Sequence, residues 1–337
     1  MQSYRLERFG SLDGLVPVTE SIPQPRAGQV LVQVRASSLN FRDYAILMGW
    51  SPFPVSPGLI PVSDAAGEVV ALGAGVARFK VGDRVIDSFY PTWFGGSRPT
   101  AFDFYGTERD GWLTEYKAVD SEALAFAPAH LSFAEAATLP CAGVTAWSAL
   151  AGVGPGDTVL TQGTGGVSLF AVQLAKILGA RVIATTSNPE KAARLKTLGA
   201  DSVIDYVATP EWADAVRTLT EGRGADRVVE VGGPGTLAQS IKAVAYGGHV
   251  SIVGALSAGS GAPTSMDFMN VFMSQATYRC IGAGSRSDLE DLCRAVTAHR
   301  VRPVVDRAFS LDDAKAAWAH FADRRLFGKV VINHNEG

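Results

Sequence analysis

Residues 163–168 read Gly-Thr-Gly-Gly-Val-Ser. They follow the apolar run Thr158-Val159-Leu160-Thr161 and precede an amphipathic stretch over 167–178, the strand–turn–helix setting in which such a run binds a dinucleotide. Gly163 permits the tight turn, Gly165 lets the backbone approach a pyrophosphate, and the helix N–H groups near Gly166 meet the phosphates. Ser168 takes the place of the third glycine and is still small enough for close helix–strand packing. A carboxylate about 20 residues further on would accept the ribose 2′-hydroxyls and repel a 2′-phosphate. The chain instead reads Thr185-Thr186-Ser187-Asn188. Ser187 and the helix start behind it can donate hydrogen bonds to a phosphate, and Lys191 and Arg194 add positive charge. NADP(H) is therefore expected over NAD(H). The alternative is that Lys191 and Arg194 are ordinary solvated helix residues.

The elements around this loop divide the chain. At 337 residues it is too long for one core, so two domains are expected. Hydrophobic residues at 47% and a net charge of -3 exclude disorder, and the lack of a basic run excludes a nucleic-acid partner. The first 125 residues read as β-rich, with strand signals at 30–36, 66–72 and 83–86. Segment 87–111 is long, aromatic (Phe89, Tyr90, Trp93, Phe94, Phe102, Phe104, Tyr105) and aperiodic. A capping box, Ser132-Phe133-Ala134-Glu135, opens a helix expected to run to about residue 150. Beyond it strands at 158–161, 181–185, 202–204, 227–231 and 249–253 alternate with helices, which predicts a doubly wound parallel sheet. Further capping boxes are expected at Ser187-Asn188-Pro189-Glu190 and Ser287-Asp288-Leu289-Glu290, and the last strand at 328–332. Three cysteines, Cys141, Cys280 and Cys293, allow no disulfide framework, which suits a cytoplasmic setting. No secretory signal and no membrane span are read.

The segments SSLNFRD, DAAGEVVALGAGVARFKVGDRV, TLPCAGVTAWSAL, GTGGVSLFAVQLAKILGARVIATT and FGKVVI carry a resemblance across essentially the whole chain. In that order they resemble the medium-chain dehydrogenase/reductase superfamily, and within it the zinc-independent branch of quinone-oxidoreductase-like and zinc-free alcohol-dehydrogenase-like proteins. The resemblance implies an α/β fold: a Rossmann domain over 143–285 and a discontinuous GroES-like β-rich catalytic domain formed by 1–142 and 286–337. It further implies that Lys191 and Tyr206 hold the 2′-phosphate of NADPH, with Ser187 standing where those enzymes have a glycine. Thr145, Thr164, Val167, Thr186, Gly232, Gly233, Val253, Gly254, Gly284 and Ser285 match segments that line the cofactor. Lys329 matches a basic residue near the pyrophosphate, and Asn40 the position used for the nicotinamide ribose and its surroundings. A homodimer acting on a small molecule is the family expectation.

The zinc-dependent branch holds its metal with a Cys, a Gly-His-Glu segment and a second Cys. Those positions here are Asn40, Val62-Ser63-Asp64 and Cys141. Zinc needs about three protein ligands, and segment 87–111, where the structural zinc would sit, has no Cys. Both zincs are expected to be absent. Cys141 is expected as a buried small hydrophobe, and His130, His249, His299, His320 and His334 as surface or packing residues. Without a Lewis acid, the substrate must be polarised by hydrogen-bond donors, charge or water. The candidates are Asn40, Arg42, Tyr44 and Asp64. Arg42 stands where zinc enzymes carry a proton-relay hydroxyl, so Arg42 or Tyr44 would orient the substrate oxygen; the alternative is an Arg42–Asp64 or Arg42–Asp43 ion pair that fixes the loop. The tyrosine that many quinone oxidoreductases place five residues after the Asn is Ala45 here, with Tyr44 one position early. Trp50, Tyr90, Trp93 and Phe94 would wall an apolar substrate pocket, or simply pack the metal-free lobe. The function implied is zinc-independent, NADPH-dependent hydride transfer to an apolar carbonyl or an activated C=C bond, reversible on alcohols. An NAD(H)-using alcohol dehydrogenase and a non-catalytic dinucleotide-binding protein are the alternatives.

Overall fold

The computed structural model describes residues 1–100, 103–254, 267–323 and 325–334; Phe102 lies outside the described residues. The chain forms two units, Met1–Val144 with Ala283–Gly337, and Thr145–Gly282. The divisions fall two residues beyond the expected 142/143 boundary and three before the expected 285/286 boundary.

The first unit opens with an antiparallel pair, β1 (Gln2–Leu6) and β2 (Leu15–Thr19). Val30, Val32 and Val34 alternate inward along β3 (Gln29–Ser38), the strand around which the larger sheet is built. After α1 (Phe41–Leu47), β4 (Asp64–Leu72) runs back antiparallel to β3 and sets Asp64 opposite Ser38. This pairing is tight at Gly67, where a Cβ would lie 2.3 Å from the Gln33 carbonyl oxygen. β5 (Arg84–Asp87), β6 (Tyr116–Asp120) and β7 (Leu124–Phe126) extend the sheet. The Ser132–Glu135 capping box is present and opens α2 (Phe133–Ala136). The single helix expected to about residue 150 does not form. The ladder is interrupted by a π-turn over Leu139–Gly143 containing Pro140, which has no N–H to donate. Helical structure resumes in α3 (Val144–Ala149), within which the chain passes to the second unit.

The second unit is a six-stranded sheet in the order β10-β9-β8-β11-β12-β13. Its strands are β8 (Thr158–Gln162), β9 (Arg181–Thr186), β10 (Ser202–Asp205), β11 (Ala225–Glu230), β12 (Val244–Ile252) and β13 (Thr277–Cys280), all paired in parallel. The helices are α4 (Gly166–Ile177), α5 (Pro189–Leu198), α6 (Trp212–Leu219), α7 (Leu237–Ala243) and α8 (Phe268–Ser274). Strand interiors such as Val159, Leu160, Val182, Ile183, Val228 and Val229 are fully buried, as a sheet covered on both faces requires.

The chain then returns to the first unit through α9 (Arg286–Ala298), β14 (Val305–Ser310), α10 (Ala314–Ala322) and β15 (Lys329–Asn333). β15 pairs antiparallel with β3, and Trp318, Val330 and Ile332 close one core with Leu39, Leu47 and Leu113. Burying a side chain of this size stabilises by roughly 1.5–3 kcal/mol. Two expected caps shift. α9 is capped by Ser285 with Asp288, not by Ser287 with Glu290, and α5 by Asn188 alone. Among the described residues no helix is long and apolar enough to cross a membrane.

Candidate active site and cofactor cradle

In the second unit the glycine turn lies at the C-terminal end of β8, the edge at which open parallel sheets bind ligands. Gly163 has φ +70°, and its amide bonds to the Thr185 carbonyl at the end of the neighbouring strand. Gly165, the N-cap of α4, has φ -74° and exposed, empty space where a Cβ would point. Neither backbone conformation nor packing demands glycine there, and the open space beside it leaves the backbone approachable. The first turn of α4 is capped by no side chain, which leaves its N–H groups for an anion. Ser168 fills the third glycine position, is buried, and donates to the Gln162 carbonyl oxygen at 2.6 Å. Thr164 and Thr145 are buried, and Val167 is half-buried in the first turn of α4.

At the end of β9, Thr186 is buried and Ser187 exposed. The Tyr206 amide bonds to the Thr186 carbonyl at 3.1 Å, which brings Tyr206 to the same end of the sheet, and its side chain is exposed. Lys191 lies in the first turn of α5. The helix start itself is not available to a phosphate as expected: Pro189 has no N–H, and the Asn188 side chain accepts from the amides of Glu190 and Lys191. Side chains at this end of the sheet that could meet a 2′-phosphate are those of Ser187, Lys191 and Tyr206, with Arg194 further along α5. The carboxylate on the adjacent strand end, Asp205, is engaged by the amides of Val207 and Ala208.

Gly232 and Gly233 both donate to the Glu230 carboxylate at 2.8 Å, while Val253 and Gly254 donate to the Glu230 carbonyl oxygen. A Cβ on Gly254 would lie 2.3 Å from the Val231 carbonyl oxygen. Glu230 and its partner Gln162 carry no motif, and sequence reasoning missed them; an acid closing an apolar strand just before Gly-Gly was the one available signal.

Four of the sequence-selected residues of the first unit meet in a buried polar chain. The Lys329 ammonium donates to the Leu39 carbonyl and to Asn40 Oδ1. Asn40 Nδ2 donates to Ser63 Oγ at 3.2 Å, Ser63 donates to Asp64 Oδ1 at 3.0 Å, and the Cys141 amide donates to Asp64 Oδ2 at 3.2 Å. Lys329 is thus held inside this unit beneath Asn40. Val62, just ahead of Ser63, sits at φ +75°, a left-handed conformation that is strained for a β-branched residue.

Burial pushes the Asp64 carboxyl up to about 6, with Lys329 opposing and the Asp43 charge reinforcing. Asp87, whose Oδ1 accepts from the Ala65 amide at 2.6 Å, is raised well above the usual carboxylate range by burial and by Asp64. Asp43 is also raised by burial, against the Arg42 charge. The Cys141 thiol is half-buried and strongly raised by desolvation, so it is not a ready thiolate. Among the described residues no group of three or more His, Cys, Asp or Glu is arranged to hold a metal ion.

Arg42 is ion-paired with Asp43 at 3.2 Å, donates to the Tyr105 carbonyl and Thr107, and lies over the rings of Phe89 and Phe104. Of its two candidate roles, this is the loop-fixing one. Tyr44 packs edge-on to Trp50 and against Phe321, and Trp50 is 56% exposed. Tyr90 and Trp93 pack on each other and Tyr90 also on Phe89 and Phe104; Phe94 lies under Arg286. Ser285 serves as the α9 cap, with Gly284 beside it, and both fall in this unit. His320 is paired with Asp306 and His334 is buried.

A glycine turn opening a parallel-sheet unit, in a chain that also forms a β-rich unit with a buried polar centre, is an arrangement suited to a dinucleotide-dependent oxidoreductase. Residues 166–298 match the zinc-binding dehydrogenase family and residues 26–129 the alcohol dehydrogenase GroES-like domain. The chain is 39% identical to a zinc-type alcohol dehydrogenase-like protein of Schizosaccharomyces pombe, over 97% of both chains. It is 33% identical to 2-methylene-furan-3-one reductase of Solanum lycopersicum, over 99% of this chain and 79% of that one. A crystal structure of a candidate alcohol dehydrogenase from Sinorhizobium meliloti 1021 superposes with a TM-score of 0.93 at 38% identity, covering 98% of each chain. The chain belongs to the medium-chain dehydrogenase/reductase superfamily and is an oxidoreductase of that family.

Proposed function

We propose that the protein is an NADPH-dependent reductase of apolar carbonyl or activated C=C substrates that works without zinc. One observation carries the cofactor choice: the end of β9 presents Thr186 and Ser187 rather than a carboxylate, with Lys191 and Tyr206 at the same sheet end. When bound, the nicotinamide supplies or takes a hydride at its C4. Gly163, Gly165 and the uncapped start of α4 would hold the pyrophosphate. The metal reading follows from donor chemistry. The positions that match zinc ligands offer an amide already bound to an ammonium, a hydroxyl, a thiol raised by burial, and a single carboxylate. An ammonium hydrogen-bonded to Asn40 Oδ1 opposes a dication at the same place.

In this reading Asn40, Ser63 and Asp64 form the polar floor that orients the substrate oxygen and holds a proton at Asp64, with Lys329 fixing the Asn40 amide. Arg42 clamps the loop over 105–107, and Tyr44 with Trp50 contributes apolar wall and a hydroxyl. Tyr90, Trp93 and Phe94 extend the aromatic lining. The outer edge of β13, with exposed Phe268, Met269, Phe272 and Met273 on the preceding α8, supports a homodimer. Sedimentation of a monomer at micromolar concentration would overturn that part.

The test is NADPH oxidation, followed by absorbance, with a panel of quinones, enones and aldehydes. Tight NADPH binding without oxidation by any acceptor would favour a non-catalytic binder, and stoichiometric zinc in pure protein would overturn the metal reading. For the cofactor, Lys191→Ala should weaken NADPH about tenfold or more, as expected for loss of a charge-assisted contact to phosphate, and leave NADH within about twofold. An unchanged NADPH dissociation constant would refute the 2′-phosphate reading.

A further inference from the structure

We infer that Glu230 is a positioning residue which, paired with Gln162, sets the cofactor-facing segments relative to one another; this rests on the reading that those segments hold NADP(H). Glu230 ends β11 and is fully buried. Its Oε1 accepts from the amides of Gly232 and Gly233, both at 2.8 Å, and from Thr236 Oγ1 at 2.5 Å. Its Oε2 accepts from Gln162 Nε2 at 2.7 Å and from the Ser240 hydroxyl. Its carbonyl oxygen accepts from Val253 and Gly254.

Gln162 completes the bridge from the neighbouring parallel strand. Its Oε1 accepts from the Val231 and Gly232 amides, and its carbonyl oxygen accepts from Ser168 in α4. The two side chains therefore tie the 163–168 turn to residues 232–233, and the Glu230 backbone ties in 253–254. All of these lie at the C-terminal ends of β8, β11 and β12, where a dinucleotide crosses such a sheet. The glycine pair is shaped to this arrangement. Gly233 has φ +79°, and a Cβ on Gly232 would lie 2.3 Å from Thr236 Oγ1, the atom that donates to Glu230.

The chemistry requires a carboxylate here. Five donors converge on two oxygens, and an ionised carboxylate, acceptor-only with about four lone-pair sites, is the side chain best able to take them. An amide would turn an N–H2 group into them. An apolar side chain of similar size would leave all five buried donors unpaired, so Glu230 holds the fold here as well as the cofactor-facing segments, and the two ligands below separate those roles. What the carboxylate provides is geometry: it fixes the amides of two glycines that have no side chains of their own to hold them.

The experiment compares dissociation constants for NADPH and for 2′,5′-ADP, which has the phosphorylated adenosine half and no nicotinamide. Glu230→Gln should weaken NADPH about tenfold or more and 2′,5′-ADP by less than about threefold. The exchanged pair Gln162→Glu with Glu230→Gln restores one acceptor and one donor at the bridge, and should recover NADPH binding to within about threefold of wild type. A purely structural residue would move both ligands together or neither. The inference is overturned by a folded Glu230→Gln protein that binds NADPH like wild type or loses both ligands equally. It is also overturned by an exchanged pair that fails to recover binding or fails to fold. Wild-type preference for NADH would instead refute the 2′-phosphate reading, and the same comparison then runs with NADH against 5′-AMP. Wild-type protein that binds neither dinucleotide overturns the cofactor reading and this inference together.

Discussion

Protonation of His334 should loosen the strand that carries Lys329 to Asn40. The imidazole is buried just beyond β15, with Nδ1 3.1 Å from the Thr114 carbonyl oxygen and Nε2 2.9 Å from Ser37 Oγ. A carbonyl only accepts, so Nδ1 carries the proton and Nε2 accepts from the serine. Burial holds the pKa down to about 4, against an ordinary value of 6.5. The native protein thus keeps the ring neutral while the unfolded chain takes a proton. With the folded value the lower of the two, the stabilisation is complete above about pH 6.5 and is lost as the pH falls toward about 4. A gap of about 2.5 pH units corresponds to about 3.4 kcal/mol in total, of which roughly 2.5 kcal/mol is gone by about pH 4.5. The perturbation is His334→Gln, which keeps a donor and an acceptor and removes the titration. Urea unfolding, read by tryptophan fluorescence between about pH 7.5 and 4.5, gives the free energies for wild type and variant. The advantage of wild type over variant should shrink by roughly 2.5 kcal/mol across that range. Parallel curves would refute the reasoning, because every other titrating group cancels in the difference.

Asp64 should tilt stability the other way. Its folded pKa is raised to about 6, so stability is greatest below about pH 3.8 and falls as the pH rises through about 6; Asp64→Asn should gain up to about 3 kcal/mol over wild type at pH 8 and less than about 1 kcal/mol at pH 4, by the same unfolding assay. Gly165→Ala adds a methyl to open space at a φ that alanine accepts, so the melting temperature should hold while NADPH affinity drops about tenfold or more, as calorimetry would report. Arg42→Ala removes an ion pair, two hydrogen bonds and a cation–π sandwich. Unfolding should become easier by roughly 2–4 kcal/mol, with KM rising more than kcat falls; a selective collapse of kcat would return Arg42 to a role on the substrate.

The glycine turn was legible because its geometry is backbone geometry: Gly163 marks where the chain must turn, and Gly165 leaves open space at the start of α4. The strand–helix alternation was legible for a similar reason, since buried parallel strands leave continuous apolar runs. Helix starts were less so. Ser285…Asp288 and Ser287…Glu290 both carry the capping pattern, and only the path by which the chain enters α9 selects the first. At α5, Pro189 removes one N–H and Asn188 takes the next two, so a serine one residue upstream reads as a cap without being one. Arg42 has acids nearby in sequence, but its contacts to residues 105 and 107 and to Phe89 and Phe104 exist only once a distant segment folds over it. Glu230 and Gln162 are 68 residues apart, and nothing in either local sequence announces the other. Adjacency of β8 and β11 creates that bridge.

The polar centre of the first unit is best understood by counting charge. Asp43, Asp64 and Asp87 are all buried, and the cations that act on them are Arg42 and Lys329 on Asp43, Lys329 on Asp64 and Lys117 on Asp87. Leaving one buried charge unpaired costs several kcal/mol, and the alternative is to retain a proton. Asp64 is raised by burial and by the Asp43 charge, and Asp87 by burial and by the Asp64 charge, so each takes up a proton more readily than an exposed carboxylate does. Asp64 connects through Ser63 to Asn40, so a proton taken up by Asp64 as the pH falls through about 6 lies at the end of a hydrogen-bonded path. A residue that raises stability when neutralised, as Asp64 should, is one that folding alone would not keep, and its retention points to the chemistry of this centre.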